Sequence, residues 1–394
     1  MSQAALAQLQ QITTREDATA LLSQVIHTPY PLAVWRLPNE AKIFAIVDLS
    51  GSGQDYDQNL EELHEAFLIN PYNASHPVAP QVLQGNIIIH IHNSEAELRI
   101  APTTSSDQLE GFRQALESKK ADPIHQPVAD ISSGDFSTMV ADAVQSIRQG
   151  KLEKVVLSRY EDFDHQGEDP LSLFERIAEM YPRAFCHLTS TTHGIWLGAS
   201  PEKLLSIEGQ RYFSTDALAG TQPLAESISL SEVAWMQKEI EEQAMVSRYI
   251  IACFKKIRLR EFDEIGPKTV RAGNLAHLKT EFKVDMEATN SPLLGSTMLD
   301  LLHPTSAVCG FPRETADDFI KAHEGYDRSL YAGFMGPVGF NGNTHLFVNL
   351  RCLQLIGDKA RLYAGAGITE DSRPEKELAE TAHKMQTLLK ALHS

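Results

Sequence analysis

Between Phe185 and Leu218 the chain carries four short strand-like runs, "FCHLT", "GIWLGA", "LLSIEG" and "RYFSTDAL", with only a few residues between neighbours. A parallel pair needs a crossover of about a dozen residues or more, whereas antiparallel strands close through tight turns. The spacing therefore predicts antiparallel pairing. The end of the chain repeats the pattern in "GFMGPVGF", turn "NGN", "THLFVNLRCLQLI", turn "GDK" and "ARLYAGAGI", which read as two hairpins in succession. With helices grouped outside such sheets, the expected fold is a layered α+β domain. Alternating βαβ units are absent from the pattern, which counts against a doubly wound nucleotide-binding sheet.

The helices are legible by their apolar faces. In "DFSTMVADAVQSIRQG", Phe136, Met139, Val140, Ala143, Val144 and Ile147 form one stripe, and Gly150 is placed to stop the helix. The strand "KVVLSRY" follows directly. A long helix is expected over about Ser231 to Lys256, and Ser372, Pro374 and Glu375 read as a capping box opening the last helix. The first third mixes helices ("EDATALLSQVIH", "LEELHEAFL") with strands ("LAVWRL", "KIFAIVDL"). The stretch "ADPIHQPVADISSGD" is the candidate boundary between an N-terminal part, 1–125, packed into the same fold, and a core, 126–394.

Charge narrows the function. With 35 basic against 52 acidic residues and a net charge of −17, nucleic acid and anionic membranes are poor main partners. An anionic substrate would need a local device, a metal ion or a few placed cations, to overcome that field. Cys186, Cys253, Cys309 and Cys352 show no CxxC spacing and read as buried free thiols of a reducing compartment. No apolar run approaches the roughly 20 residues of a membrane span. The opening "MSQAALAQLQQITTRED" lacks a basic start followed by an apolar core, so a cytoplasmic location is expected.

The segment "AGAGITEDSRPEKELAETAHK" poses the chemical question. A glycine-rich turn entering a helix suggests an anion on backbone N–H groups. Yet Glu377, Glu380 and Lys384 share one helix face, so the entrance opens onto carboxylates. A bound cation resolves the conflict. "QKEIEEQAMV" supplies a second acidic pair, Glu239 and Glu242, and two such faces can hold a hard divalent ion such as Mg²⁺. The alternative is two solvated helix faces. A phosphate site is disfavoured because no P-loop lysine follows the "GAG".

Other positions stay open on spacing alone. Lys154 at the head of an apolar strand is either an edge charge or, if enclosed, a general base. Glu202 in "GASPEKLL" is either a surface turn residue or an enclosed, protonated acid. Arg351 in "FVNLRCLQL" is either an anion-binding fork or half a salt bridge. His277 in "NLAHLKTEF" reads as an ordinary strand histidine.

The order of these segments carries a family resemblance. "KLEKVVLSR", "GASPEKLL", "TDALAGTQ", "QKEIEEQAMV", "AHLKTEF", "LLHPTSAVCGFP", "YDRSLYAGFMGPVGF", "VNLRC" and "AGAGITEDSRPEKELAETAHK" resemble, in sequence order, those of the chorismate-utilising enzymes, and among them the isochorismate synthases. The resemblance covers Asp135 to the C-terminus and is much less distinct over roughly the first 125 residues. It implies an α/β/β/α sandwich of large antiparallel sheets with helices outside. It also implies Mg²⁺ bound directly by Glu242 and Glu380, supported by Glu239 and Glu377. Tyr331 and Arg351 would hold the enolpyruvyl carboxylate, and backbone N–H groups around Gly220, Thr221, Gly365 and Gly367 would hold carboxylate oxygens. His277 would sit beside the ring, and Lys384 would balance charge at the metal.

The implied activity is that of a hydroxymutase, an isomerase. Lys154 would activate a water for attack at C2 of chorismate while Glu202 protonates the departing C4 hydroxyl. Ala219 stands where the similar aminodeoxychorismate synthases carry a nucleophilic lysine, which favours attack by water. "DALAGT" likewise differs from the "PIAGT" usual in anthranilate synthases, and no obligate amidotransferase subunit is expected. A salicylate synthase, making the same intermediate and then eliminating pyruvate, is the nearest rival. An anthranilate synthase large component and a non-catalytic acidic protein are further off. The product would feed menaquinone or siderophore synthesis. Gln243, Ser306 and Arg373 depart from the family pattern, which usually has histidine, proline and aspartate there.

Overall fold

In this computed structural model, residues 12–51, 54–56, 59–73, 79–118, 135–165, 167–224, 229–272 and 275–393 are described. Two antiparallel sheets face one another, flanked by helices. One runs, edge to edge, through Gly310–Phe311, Lys154–Asp164, Lys359–Ile368, Cys352–Ile356, Gly194–Ser200, Phe185–Thr191, Leu32–Arg36, Ile43–Val47, Ile87–His92 and Glu95–Ile100. The other runs through Asp263–Ala272, Leu275–Asp285, Tyr212–Pro223, Lys203–Glu208, Thr344–Val348, Phe334–Val338, Ala66–Asn70, Gln81–Gln84 and Gln54–Asp55. These are the sheets that the closely spaced apolar runs predict. N-terminal strands extend both: Leu32–Arg36 pairs with Phe185–Thr191, and Ala66–Asn70 with Phe334–Val338. The boundary expected at 125/126 lies outside the described residues.

Aromatic side chains such as Trp35, Phe67, Phe185 and Phe347 fill the main core, with Phe185 stacked on Phe347 at 4.2 Å. A second core lies where the helices Arg15–Val25, Pro170–Met180 and Pro374–Leu392 pack on the ten-stranded sheet through Leu22, Phe174 and Leu388. The helix Phe136–Arg148 forms as its stripe predicts. Asp135 caps it by accepting from the Ser137 N–H at 3.0 Å, and Gly150, at φ +72°, ends it; Ile147 is only half-buried.

Five local expectations are corrected. "LEELHEAFL" is not a helix: it holds a single short turn, Leu60–Glu62, and then enters the strand Ala66–Asn70, whose buried run pairs with Phe334–Val338. The long helix spans Gln237–Lys256, after a separate short turn at Leu230–Glu232, because Met236 is extended and its N–H is held by the Glu239 carboxylate at 3.0 Å. "THLFVNLRCLQLI" is two strands: the chain leaves one sheet at Val348 and enters the other at Cys352, turning through Arg351 at φ +47°. The last helix is capped by no side chain; Arg373 is its N-cap, and Ser372 instead accepts from the Thr369 N–H at 3.1 Å. Finally, Gly365 and Gly367 lie within the strand Lys359–Ile368, not in a turn before the helix.

Two of the places where the chain crosses between the sheets are adjacent. Pro201 and Glu202 connect Gly194–Ser200 to Lys203–Glu208, beside the Asn349–Arg351 crossing. The crossings are tied together: the Ala199 N–H donates to the Arg351 carbonyl (2.9 Å), the Val348 N–H to the Glu202 carbonyl (3.0 Å), and the Ser200 hydroxyl to the Val348 carbonyl. Glu202 and Arg351 thus stand on neighbouring crossings at the seam of the sandwich.

Candidate active site

Glycines in the Lys359–Ile368 strand make room for two site residues. A Cβ at Gly367 would lie 2.9 Å from Lys154 Cε, and one at Gly365 would lie 2.9 Å from the Tyr331 hydroxyl. Residues two apart in a strand share a face, and their N–H and C=O groups point to the same edge. The Gly365 carbonyl accepts from Lys384 Nζ at 2.8 Å. The N–H groups of Gly365 and Gly367 therefore point toward Lys384 also, past Leu362, where pairing with Cys352–Ile356 has ended.

Lys154 is buried at the head of its strand, and its ammonium donates to Glu242 at 3.0 Å. Burial works against the Glu242 carboxylate, but Lys154, the Gly220 N–H and Lys238 together hold its pKa below the ordinary value. Gly220 makes that contact possible. It sits at a bulge in Tyr212–Pro223 with φ +70°, and a Cβ there would meet Glu239 Cβ at 3.0 Å. His277 lies across the bulge, paired with Thr221, and bonds to the Gly220 carbonyl. Burial and then the Arg351 charge push its pKa down to about 4, so it is neutral at neutral pH.

Glu202, half-buried at the crossing, has its pKa pushed up to about 7 by burial, against the opposing pull of the Lys154 and Lys384 ammonium groups. An acid of that kind keeps its proton near neutrality while lying within electrostatic reach of a buried lysine. Arg351 is half-buried too, and burial lowers its pKa, offset by Tyr331, Glu380 and Tyr181. Its Nη1 donates to the Lys384 carbonyl (3.2 Å) and to Thr387 (3.4 Å). Among the described residues it forms no ion pair with a carboxylate, which leaves charge to meet an anion. Tyr331 is buried and stacked on Tyr363 at 5.5 Å.

The four glutamates expected at the metal are distributed as follows. Glu242 is paired with Lys154, Glu380 with Lys384 at 2.6 Å, and Glu239 closes the N-terminus of its own helix. Burial raises the pKa of Glu377, which bonds to Ser372 and feels Glu380, Lys238 and Lys384. Among the described residues, no three carboxylate, imidazole or thiol groups converge as a ligand cluster. Lys238 lies within electrostatic reach of both Glu242 and Glu377, one on each helix. The donor set, carboxylate oxygens on both helices, fits a hard cation.

Of the departures from the family pattern, Gln243 is buried and donates to Ser247 (3.1 Å) and Thr280 (2.6 Å), tying the helix to the neighbouring strand. Ser306 is buried, and its hydroxyl has no hydrogen-bond partner among the described residues. Asn349 and His187, which organise the crossing beside Arg351, gave no signal in the sequence.

The seam between the two large antiparallel sheets thus holds a buried lysine, a glutamate whose pKa burial pushes up to about 7, and an arginine with no carboxylate partner among the described residues. Residues 57–393 match the chorismate binding enzyme family, and the chain belongs to it. It is 31% identical over 291 residues to a salicylate biosynthesis isochorismate synthase of Pseudomonas aeruginosa, covering 71% of this chain and 60% of that protein. It is 33% identical over 261 residues to isochorismate synthase EntC of Escherichia coli, covering 64% of this chain and 66% of that one. The matched region is thus under two thirds of either relative. In fold it is similar to MenF, the menaquinone-specific isochorismate synthase of E. coli, with a TM-score of 0.75 at 21% identity over 98% of this chain and 97% of that one. Anthranilate synthase component I of Streptococcus pneumoniae is also similar, with a TM-score of 0.65 at 19% identity, covering 91% of this chain and 89% of that one. Among the described residues no helix is long and apolar enough to cross a membrane.

Proposed function

We propose that the protein is a Mg²⁺-dependent isochorismate synthase that reversibly converts chorismate to isochorismate. The observation that carries this reading is the pair of groups at the seam: half-buried Glu202, its pKa pushed up to about 7, and buried Lys154 within its electrostatic reach.

The Arg351 guanidinium and Tyr331 hydroxyl bind the enolpyruvyl carboxylate. The N–H groups of Gly365 and Gly367 donate to substrate carboxylate oxygens at the strand's open edge. Lys154 acts as the neutral amine, so its ion pair with Glu242 opens before reaction. Its Nζ takes a proton from the water whose oxygen bonds to C2. The ring double bonds shift, the C4–O bond breaks, and Glu202 gives its proton to the leaving hydroxyl, which departs as water. One water enters and one leaves; the proton gained at Lys154 balances that lost from Glu202. Glu242 and Glu380 would hold Mg²⁺, with Glu239 and Glu377 beside them, and the ion when bound supplies Lewis-acid anchoring and electron withdrawal at the ring carboxylate. Ala219 offers no amine, so water is the nucleophile.

The test is product analysis by mass after incubation with chorismate and Mg²⁺. Isochorismate is expected. Salicylate with pyruvate would move the assignment to a salicylate synthase, an ammonia-dependent product would indicate an anthranilate-type enzyme, and unconsumed chorismate would overturn the reading.

A further inference from the structure

Asn349 is buried at the point where the chain leaves the nine-stranded sheet, two residues before Arg351. Its polar groups are spent on the turn that carries Tyr331. The Asn349 N–H donates to the Gly333 carbonyl (2.7 Å), its carbonyl accepts from the Ala332 N–H (2.9 Å), and Nδ2 donates to the Leu330 carbonyl (3.0 Å). Ala332 is held at φ +61°, a conformation a non-glycine residue rarely keeps without such support.

The remaining atom, Asn349 Oδ1, meets His187 Nε2 at 2.9 Å. Because the amide nitrogen faces a carbonyl, the oxygen must face the histidine, and Nε2 must carry the proton. His187 is fully buried, and burial pushes its pKa down to about 4, so the neutral Nε2–H tautomer is the one present. The ring is confined as well: a Cβ at its strand neighbour Gly198 would lie 2.5 Å from Nε2. The line from Gly198 through His187 and Asn349 ends at Tyr331 on one side and Arg351 on the other.

We propose that Asn349, with its amide fixed by His187, is the positioning residue that sets Tyr331 against Arg351 and so governs affinity for the anionic side chain of the substrate. The proposal rests on the reading that Tyr331 and Arg351 hold a substrate carboxylate. The enolpyruvyl carboxylate gains no charge in the reaction, and contacts made equally in ground and transition states, when disturbed, raise KM and leave kcat.

Two perturbations test it. Asn349→Asp sets an oxygen against the Leu330 carbonyl, and His187→Leu frees the amide to turn; should the first fail to fold, the second stands alone. Each is combined with Arg351→Gln, and KM, kcat and the calorimetric Kd for chorismate are measured. Each single variant is expected to raise KM and Kd by about tenfold with kcat changed less than about threefold. Added to Arg351→Gln, neither should cost further affinity. Losses that add to that of Arg351→Gln, or a fall in kcat at constant KM, would overturn the proposal while leaving the functional reading intact. If the wild-type protein binds no chorismate, the functional reading falls, and this proposal with it.

Discussion

Replacing Glu202 by glutamine removes the proton donor and keeps its shape, and the consequence reaches beyond activity. The folded protein holds the Glu202 proton up to about pH 7, whereas the unfolded chain releases it near 4.5. Between those values the native state binds more protons than the unfolded state, so stability falls as pH rises and levels off above 7. At about 1.36 kcal/mol per pH unit the loss reaches about 3 kcal/mol, because the carboxylate is ionised inside a site that favours its neutral form. Glu202→Gln escapes this cost. The variant should match the wild type in stability below pH 4.5 and exceed it by about 3 kcal/mol at pH 8. With an unfolding entropy of about 2.1 cal/mol/K per residue over 394 residues, that is a gain of about 4 °C in thermal midpoint. Scanning calorimetry of both proteins at pH 4.5, 6 and 8 measures it, alongside an assay in which the variant should show no turnover. Parallel pH profiles for the two proteins would refute the reasoning, since Glu202 would then be an ordinary solvated carboxylate.

Other perturbations separate the remaining roles. Lys154→Ala should abolish turnover yet leave Mg²⁺-dependent chorismate binding largely intact by calorimetry; lost binding would make the lysine structural. Glu380→Ala should weaken Mg²⁺ and chorismate binding together, and unchanged affinity for both would count against its place at the metal. Gly367→Ala puts a methyl carbon 2.9 Å from Lys154 Cε, so the ammonium must shift from Glu242. We expect kcat to fall about tenfold or more, and an unchanged kcat would show that Lys154 tolerates displacement. Mg²⁺ with chorismate should raise the thermal midpoint by ligand linkage; no rise would favour a non-catalytic protein.

Much of the fold was legible because strands advertise themselves by tight spacing and apolar runs. What stayed hidden were the crossings between sheets. "THLFVNLRCLQLI" is apolar on both sides of Arg351, and its break depends on a positive φ at an arginine, with no glycine to mark it. Glu202 was more visible, since Pro201 and small neighbours announce a turn. The "GAG" glycines misled because they serve close approach within a strand rather than a turn. The Ser372 capping box failed because its hydroxyl has a nearer partner in the Thr369 N–H. Asn349 and His187 act through contacts far apart in sequence, |i−j| of 162, which no local pattern encodes.

The mechanism stands or falls on where the new hydroxyl comes from. Turnover of chorismate in ¹⁸O-labelled water, with mass and NMR analysis of the isochorismate formed, answers this directly. Attack by a water activated at Lys154 places one labelled oxygen at C2. Unlabelled isochorismate would mean that the C4 hydroxyl migrates within the substrate, and would contradict the roles assigned to Lys154 and Glu202.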